Sequence, residues 1–184
     1  PYRLSQPRRA HLLQRHDVLF AVHHWHSGGC VRDAVLGRPV TDLDVATDAE
    51  PSRVVEILGE EMIRVVPTGV EHGTVTAIMG ARPFQITTLR RDVATDGRRA
   101  VVEFTNDWVE DSRRRDFTFN ALSADIDGMV YDYTDGITDL REGRVRFIGK
   151  ASDRIAEDHL RVLRFYRFQA HYGKTDPDPD AIAA

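Results

Sequence analysis

The sequence contains one cysteine, Cys30, among its 184 residues, so no disulfide can form within the chain. A free thiol and few methionines indicate a reducing compartment, and we expect a cytoplasmic location. No apolar run approaches the roughly 20 residues that span a bilayer, and neither a signal peptide nor a membrane anchor is visible. The length predicts one to one and a half domains, with a core large enough to need neither metal nor disulfide.

The sequence also lacks a surplus of basic residues, because 25 Lys and Arg stand against 29 Asp and Glu, a formal net charge of −4. Taken alone, that total argues against nucleic-acid binding, which usually requires a cationic surface. The charges are separated along the chain, however. Residues 42–61 carry seven acidic side chains and one arginine, whereas residues 141–174 carry nine basic and four acidic ones. Such segments can be two solvated surfaces, or an acidic metal site beside a basic phosphate site.

The hydrophobic pattern predicts short strands that alternate with helices in the first half of the chain. Helices are predicted over Pro7–Arg15, Val31–Leu36, Pro51–Leu58, Asp107–Arg113 and, as one long helix capped by Ser152, Ser152–Tyr172. Strands are predicted over Val18–Val22, Leu43–Ala46, Ile63–Val66, Thr74–Met79, Phe84–Leu89, Val101–Phe104 and Met129–Asp132. A mobile loop is predicted over Arg90–Arg99 and a linker over Lys174–Ala184.

The first group of functional candidates combines a glycine turn with a pair of carboxylates. Gly28 and Gly29 precede a predicted helix, so the backbone can approach an anion and point free N–H groups at it, with Arg32 one turn further along. Asp42 and Asp44 are two residues apart at the end of a predicted strand, where residues so spaced point to the same face. Adjacent carboxylates repel each other unless a cation lies between them, and Mg²⁺ is bound by such pairs together with phosphates and water. The combination predicts a metal-assisted phosphate site.

The second group begins with the arginine run 113–115, which continues directly into Asp116–Ala121. Runs of arginine are usually solvated, but the segment that follows contains Phe117 and Phe119 and must be at least half buried. A guanidinium held at the edge of a core offers a rigid, permanently charged group for phosphate. Asn120 could meet a ribose hydroxyl.

The third group lies in the predicted helix that carries Glu157–Phe168. Its polar residues recur every three positions, at Asp158, Arg161, Arg164 and Arg167. Amphipathic packing explains the apolar positions Leu160, Leu163 and Tyr166, but it does not explain three evenly spaced arginines. Aspartate and arginine side chains together present the acceptor and donor edges that recognition of a base requires.

Taken in order, these motifs resemble those of the class II tRNA nucleotidyltransferase and bacterial poly(A) polymerase family. The motifs are Gly28-Gly29-Cys30-Val31-Arg32-Asp33, Asp42-Leu43-Asp44, Gly69-Val70-Glu71-His72-Gly73-Thr74-Val75, Arg114-Arg115-Asp116-Phe117-Thr118, Asn120-Ala121, and Glu157-Asp158-His159-Leu160-Arg161 followed by Arg164 and Arg167. The resemblance covers nearly the whole chain, from the strand before Gly28 to Phe168.

The resemblance implies an α+β fold. Residues 1–150 would form a nucleotidyltransferase palm, a mixed β-sheet with helices on one side; residues 151–172 would form the first neck helix, which reads the nucleotide, and 173–184 a linker. It also implies a template-independent enzyme that adds CMP and AMP from CTP and ATP to the tRNA 3′ end, known as CCA addition, and releases pyrophosphate. The implied cofactor is Mg²⁺, the partners are CTP, ATP and the tRNA 3′ end, and no membrane is involved.

The resemblance also implies roles for single residues. Asp42 and Asp44 are similar to the family's catalytic, metal-binding carboxylates. The nucleotide-binding positions would be Gly28, Gly29, Arg32, Arg115, Asn120, Asp158, Arg161, Arg164 and Arg167, with Asp158 and Arg161 reading CTP and ATP by hydrogen bonds that resemble a base pair. The segment Thr88–Arg99 is similar to the flexible loop that helps the family switch from CTP to ATP, which favours CCA addition over CC addition.

Four departures from the family pattern bear on these expectations. The segment His23–Ser27 looks like an insertion at the phosphate turn, where His24 and His26 could bind a soft metal if further ligands were near. Gln85 stands where the family commonly has glutamate, and Asp135 replaces a turn glycine. The family's helical body and tail domains, which grip the tRNA, do not follow in this sequence, so we expect a chain that is cut or normally longer and that holds tRNA poorly.

These departures keep other functions open. Within the same family, the chain could belong to a poly(A) polymerase or a CC-adding enzyme, because the motifs of the head are shared. A catalytically weak fragment that binds nucleotide or RNA is favoured by Gln85 and by the histidine-rich segment. Asp42, Asp44, Asp158 and Arg161 favour the enzyme.

Overall fold

The structure is a computed structural model that describes residues 2–7, 24–40, 42–66, 69–80, 82–95 and 100–184. The predicted strand Val18–Val22 and nearly all of the predicted helix Pro7–Arg15 lie outside these residues. The described ranges contain an eight-stranded sheet, a separate two-stranded hairpin and seven α-helices. The predicted α+β class is therefore confirmed.

The large sheet is mixed. Its strands are β1 (Tyr2–Arg3), β2 (His24–Ser27), β3 (Asp44–Thr47), β4 (Arg64–Val66), β5 (Thr74–Met79), β6 (Arg82–Thr88), β9 (Ser123–Ala124) and β10 (Met129–Tyr131), in the order β1-β10-β9-β2-β3-β6-β5-β4. Strands β3 and β6 pair in parallel, with Asp44 opposite Gln85. The hairpin consists of β7 (Arg90–Thr95) and β8 (Ala100–Phe104).

The helices of the described residues are α1 (Gly29–Leu36), α2 (Pro51–Glu60), α3 (Trp108–Arg113), α4 (Gly136–Glu142), α5 (Ala151–Glu157), α6 (Leu160–Tyr172) and α7 (Pro179–Ala183), with 3₁₀ turns at Val70–His72 and Thr118–Asn120. The first two helices bury apolar side chains three or four positions apart, as an amphipathic helix does on a core. These side chains are Val31, Ala34 and Val35 in α1 and Val54, Ile57 and Leu58 in α2.

Alternation along the central strands separates a buried face of the sheet from an open face. His26, Val45 and Ile86 are 2%, 1% and 1% exposed, and the last two pack in a hydrophobic cluster with α2. Asp44 and Gln85, one position away in each strand, are exposed on the opposite face. The sheet therefore presents its functional candidates on the face that its core does not use.

Two predictions about loops are wrong. The segment His23–Ser27 is not an insertion at the turn, because His24–Ser27 forms strand β2 and pairs with β3 and β9 on its two sides. Trp25 stacks on Trp108 and on Tyr131, with ring centroids 4.0 and 4.1 Å apart, so tertiary stacking supports a strand that has few typical strand-forming residues. The predicted loop after Leu89 begins instead as strand β7, whose backbone bonds to β8, and residues 96–99 lie outside the described part.

The predicted long helix after Lys150 is two helices. Asp158 has an extended backbone, with φ −155° and ψ 105°, and its Oδ1 accepts a hydrogen bond of 3.0 Å from the Leu160 N–H. Asp158 is the C-cap of α5 and its side chain satisfies a free donor at the start of α6, whose N-cap is His159. Ser152 lies inside α5 and does not cap it, because the cap position is Lys150.

The apolar face of α6 also differs from the prediction. Leu160, Leu163 and Tyr166 are 59%, 69% and 54% exposed, while Phe165 and Phe168 are buried in the core. The predicted linker contains the short helix α7, in which Ala181 is buried. In the described ranges, no helix is both long enough and apolar enough to cross a membrane.

Candidate active site

One cleft of about 630 Å³ opens on the uncovered face of the sheet and collects most of the predicted site residues. Those that line it are Gly28, Gly29, Arg32, Asp44, Arg115, Asn120, Asp158, Arg161 and Arg164. Asp42 is exposed just before β3 and is not part of the lining. Arg167 is exposed as well, and its guanidinium lies over the Phe168 ring at 5.3 Å rather than in the cleft. Sequence positions more than 100 residues apart thus meet in one place.

The acidic edge of the cleft, Asp42 and Asp44, lies where β3 begins. Partial burial raises the pKa of Asp44, the negative charge of Asp42 raises it further, and the positive charge of Arg115 opposes both. Among the described residues, neither carboxylate of the acidic edge takes part in a side-chain hydrogen bond or an ion pair. Two interacting carboxylates without a cationic partner at hydrogen-bonding distance form a site that favours a positive ion.

The chemistry of the acidic edge fits a hard divalent cation. No group of three His, Cys, Asp or Glu side chains suited to a metal occurs in the described part of the chain, so substrate and water oxygens would have to complete the coordination. Mg²⁺ is bound in this way, by one or two carboxylates together with phosphates. Cys30 does not contribute a thiolate, because burial raises its pKa to about 11. Gln85, opposite Asp44 in the parallel pair, adds an amide but no charge.

The glycine turn forms the floor of the cleft beside the acidic edge. Gly28 has φ +74°, a conformation that L side chains rarely adopt, and it immediately precedes α1. A Cβ atom at Gly28 would lie 3.2 Å from Arg115 Nη1, and one at Gly29 would lie 3.5 Å from Arg32 Nη2. Both glycines thus let two guanidiniums approach the positive end of the helix, where backbone donors attract an anion.

Arg115 is held by a neighbour that the sequence interpretation missed. Asp111 is 5% exposed; its Oδ2 accepts from Arg115 Nε and Nη2 at 3.3 and 3.1 Å, and its Oδ1 accepts from Arg114 Nε at 3.0 Å. Burial alone would raise the pKa of Asp111, but the two guanidiniums and the Arg90 backbone N–H together hold it below its ordinary value. The spacing of four residues from Asp111 to Arg115, which runs past the end of the predicted helix Asp107–Arg113, was the available signal.

A second set of lining residues, which we call the polar wall of the cleft, consists of Asp116, Asn120, Arg161 and Arg164. Asn120 Oδ1 accepts from Arg32 Nη1 at 2.8 Å, and its Nδ2 donates to Asp116 Oδ1 at 3.0 Å. Asp116 Oδ2 accepts from Arg164 Nε at 2.6 Å. The amide of Asn120, predicted to meet a ribose, therefore has protein partners on both of its atoms. Asp116 belongs to the motif Arg114-Arg115-Asp116-Phe117-Thr118, but its role as the common acceptor emerges only from the structure.

Asp158 and Arg161 both line the cleft, one just before and one within the first turn of α6. Arg161 Nη1 donates to Glu157 Oε2 at 2.6 Å and to the Arg154 carbonyl at 3.0 Å, and its Nη2 donates to the Arg114 carbonyl at 3.3 Å. One oxygen of Asp158 accepts from the Leu160 N–H. A carboxylate acceptor and a guanidinium donor three residues apart thus both line the cleft.

These features define a member of a known family. A family model described as the poly A polymerase head domain matches residues 24–146, and the chain belongs to that family.

Particular relatives are CCA-adding enzymes. The chain is 45% identical over 164 residues to the Homo sapiens mitochondrial CCA tRNA nucleotidyltransferase 1, a match that covers 86% of this chain and 37% of the relative. Its fold is similar to that of the Bacillus stearothermophilus CCA-adding enzyme solved in complex with CTP, with a TM-score of 0.77, 32% identity, and coverage of 96% of this chain and 42% of the other.

A tRNA nucleotidyltransferase solved with a primer tRNA and an incoming ATP analog is similar as well, with a TM-score of 0.69, 26% identity, and coverage of 89% of this chain and 45% of the other. The chain thus spans between 37% and 45% of the length of these three relatives.

Proposed function

We propose that this chain is the catalytic head of an enzyme that adds CMP and AMP, from CTP and ATP, to the 3′ end of tRNA and releases pyrophosphate. The observation that carries the proposal is the single cleft that Asp44, the glycine turn and the Asp158–Arg161 pair all line, with Asp42 just outside it. Relatives that bind CTP, or a primer tRNA with an ATP analog, support the choice of substrates.

In this proposal, the chain's own residues position the reactants. The glycine turn, Arg32 and Arg115 would receive the triphosphate, because backbone donors and guanidiniums bind phosphate oxygens. Asp42 and Asp44 would hold Mg²⁺, which neutralises charge that develops on the oxygens of the phosphoryl transfer. Rate enhancement would come chiefly from alignment of the RNA 3′-hydroxyl with the α-phosphate.

The Asp158–Arg161 pair would select the base. Cytosine and adenine both present an exocyclic amine next to a ring nitrogen acceptor, whereas uracil and guanine present a carbonyl next to a ring N–H. A carboxylate accepts from the amine, and a guanidinium donates to the ring nitrogen. The same protein pair can therefore accept CTP and ATP and reject UTP and GTP, which would leave a buried donor or acceptor unmatched.

A cytoplasmic location stays a prediction.

The test is an incorporation assay with Mg²⁺, labelled CTP or ATP, and tRNA transcripts that end before CCA, after C or after CC. Ordered addition of C, C and A that then stops is the expected result. Long A tails would identify a poly(A) polymerase instead, and addition that stops after CC would identify a CC-adding enzyme.

The second candidate function is nucleotide binding with little catalysis. It rests on Gln85, which puts an amide where a third carboxylate would strengthen the acidic edge. No incorporation in the assay, combined with CTP that still raises the Tm of the protein, would favour this function over the enzyme.

A further inference from the structure

A ring of hydrogen bonds leaves helix α6 and returns to it, and Tyr172 is the residue where it starts. The Tyr172 hydroxyl donates to Asp33 Oδ1 at 3.0 Å. The Asp33 carboxylate also accepts from Arg32 Nε and Nη2, at 3.0 and 2.9 Å. The last residue of α6 is thereby linked to an arginine of the cleft through one carboxylate.

The ring continues from Arg32 across the polar wall. Arg32 Nη1 donates to Asn120, Asn120 donates to Asp116, and Asp116 accepts from Arg164. Arg164 and Tyr172 lie eight residues apart on α6, about 12 Å along a helix. Helix α6 therefore closes the ring, so its position is tied to that of α1 and the glycine turn.

The residues at the centre of the ring are buried, so its hydrogen bonds hold the orientation of these side chains firmly. Arg32, Asn120 and Asp116 are 9%, 8% and 7% exposed. The Arg32 guanidinium also lies over the Tyr172 ring at 4.5 Å, and the Arg38 guanidinium lies over the same ring at 4.6 Å. Hydrogen bonds to charged groups in such surroundings hold geometry better than exposed ones do.

The remaining donors of Arg32 are the part of the ring that a ligand can reach. A guanidinium has five N–H groups, of which the contacts above use three. Arg32 lines the cleft against Gly29, so its remaining N–H groups are available beside the N-terminus of α1. Their direction depends on the plane of the guanidinium, and Asp33 sets that plane by accepting from two of its nitrogens. Tyr172 in turn fixes Asp33.

We propose that Tyr172 is a positioning residue for substrate phosphate: its hydroxyl orients Asp33, and through it Arg32, although Tyr172 does not line the cleft itself. The inference rests on the proposed function for the identity of the substrate. Burial raises the pKa of Tyr172, so the hydroxyl stays a donor at neutral pH. Because the contact concerns phosphate and not the base, its loss should affect CTP and ATP equally.

The test is Tyr172→Phe, which removes the hydroxyl and keeps the ring beneath both guanidiniums. We expect KM to rise about fivefold for CTP and for ATP with kcat little changed, the size of one ordinary intramolecular hydrogen bond. Tyr166→Phe is the matched control, because Tyr166 lies on the same helix, is 54% exposed and makes no contact with the ring of hydrogen bonds. An unchanged KM in Tyr172→Phe, or a change for one nucleotide only, would overturn the proposal.

A double-mutant cycle separates positioning from general support of the fold. If Tyr172 acts through Arg32, Tyr172→Phe should have no further effect on KM in an Arg32→Lys background. A fivefold effect that persists there would contradict the proposal. Should Tyr172→Phe lower the Tm markedly, Asp33→Asn replaces it in the same cycle, with the same expectation.

Binding of inorganic tripolyphosphate, measured by calorimetry, gives a readout independent of catalysis. We expect Tyr172→Phe to weaken that binding about fivefold and Tyr166→Phe to leave it unchanged. If wild-type protein incorporates no nucleotide, the proposed function fails, whereas equal tripolyphosphate affinity of wild type and Tyr172→Phe overturns the positioning role.

Discussion

The two sides of the cleft differ in how far protein partners already occupy their polar groups. On the polar wall, Asp116 accepts bonds from Asn120, from Arg164 and from the Phe117 N–H, and it is 7% exposed. On the acidic edge, partial burial and the charge of Asp42 raise the pKa of Asp44 against the opposing charge of Arg115, and neither carboxylate has a hydrogen-bonded partner among the described side chains. One side has its charges balanced from within the protein, and the other has two negative charges that remain near each other.

This difference assigns different tasks to chemically identical side chains. A carboxylate with several internal donors contributes to stability and geometry, and its removal leaves buried partners unsatisfied. A carboxylate without them costs free energy in the fold and becomes favourable when a ligand supplies the positive charge. Aspartates of the acidic edge should therefore matter for activity, and those of the polar wall and of α3 for stability.

The largest expected effect concerns the acidic edge. Asp44→Asn should lower the rate of CMP incorporation about 1,000-fold or more, because the pair that we propose to hold Mg²⁺ loses one charge. Its free energy of unfolding should stay within about 0.5 kcal/mol of wild type, since no internal partner is lost. Urea unfolding and the incorporation assay measure both quantities, with Asp176→Asn, an exposed change away from the cleft, as the control. Normal incorporation by Asp44→Asn would remove Asp44 from the metal site.

The next effect concerns the polar wall. Asp116→Asn keeps the shape of the side chain but removes the charge that Arg164 and Asn120 face, so we expect a loss of about 2 kcal/mol in the free energy of unfolding. Glu142→Gln is the matched control, because Glu142 pairs with Arg144 at the surface, where both side chains are nearly half exposed. The control should lose less than about 0.5 kcal/mol in urea unfolding. Equal losses of unfolding free energy in Asp116→Asn and Glu142→Gln would show that the charge of Asp116 stabilises the fold no more than an exposed ion pair does.

A smaller effect appears as a dependence on pH. Because the folded state holds the pKa of Asp111 below its ordinary value, ionised Asp111 stabilises the protein above the pKa of the unfolded chain. That contribution disappears as the pH falls through the lower, folded pKa. Asp111→Asn should thus be less stable than wild type at pH 7, by about 1.5 kcal/mol, and the gap should narrow in acid below the usual carboxyl range. Urea titrations across acidic pH measure the gap, and one that stays constant would contradict this role of the charge.

The smallest effect tests the amide at the acidic edge. Gln85→Glu places a third carboxylate opposite Asp44, so the Mg²⁺ concentration for half-maximal incorporation should fall about threefold. Gln6→Glu, an equal change of charge at an exposed position outside the cleft lining, should leave it unaltered. A higher Mg²⁺ requirement in Gln85→Glu would show that the amide, and not a carboxylate, suits this position.

Much of the fold and of the site could be predicted from local patterns. The strand Thr74–Met79 has the predicted bounds, and α1, α2 and α3 occur close to where the pattern indicated them, with the glycine pair at the start of α1 and a proline as the first residue of α2. Short-range features of this kind depend on residues a few positions apart. The predictions failed where contacts with distant residues determine the local structure. Trp25 and its stacking partners support strand β2, and pairing with β8 makes a strand of the segment that follows Leu89.

The sequence by itself determined which chemical groups are present: a glycine turn, a pair of carboxylates, an arginine run and an Asp-Arg stripe, in an order typical of one family. Spacing of two, three or four residues sets which of these groups share a strand face or a helix face. The tertiary structure alone decided which carboxylates are neutralised by internal partners, that Arg167 lies outside the cleft, and that Tyr172 bonds to Asp33. The physical reason is that charge balance and desolvation depend on residues brought together across the whole chain, which no local pattern records.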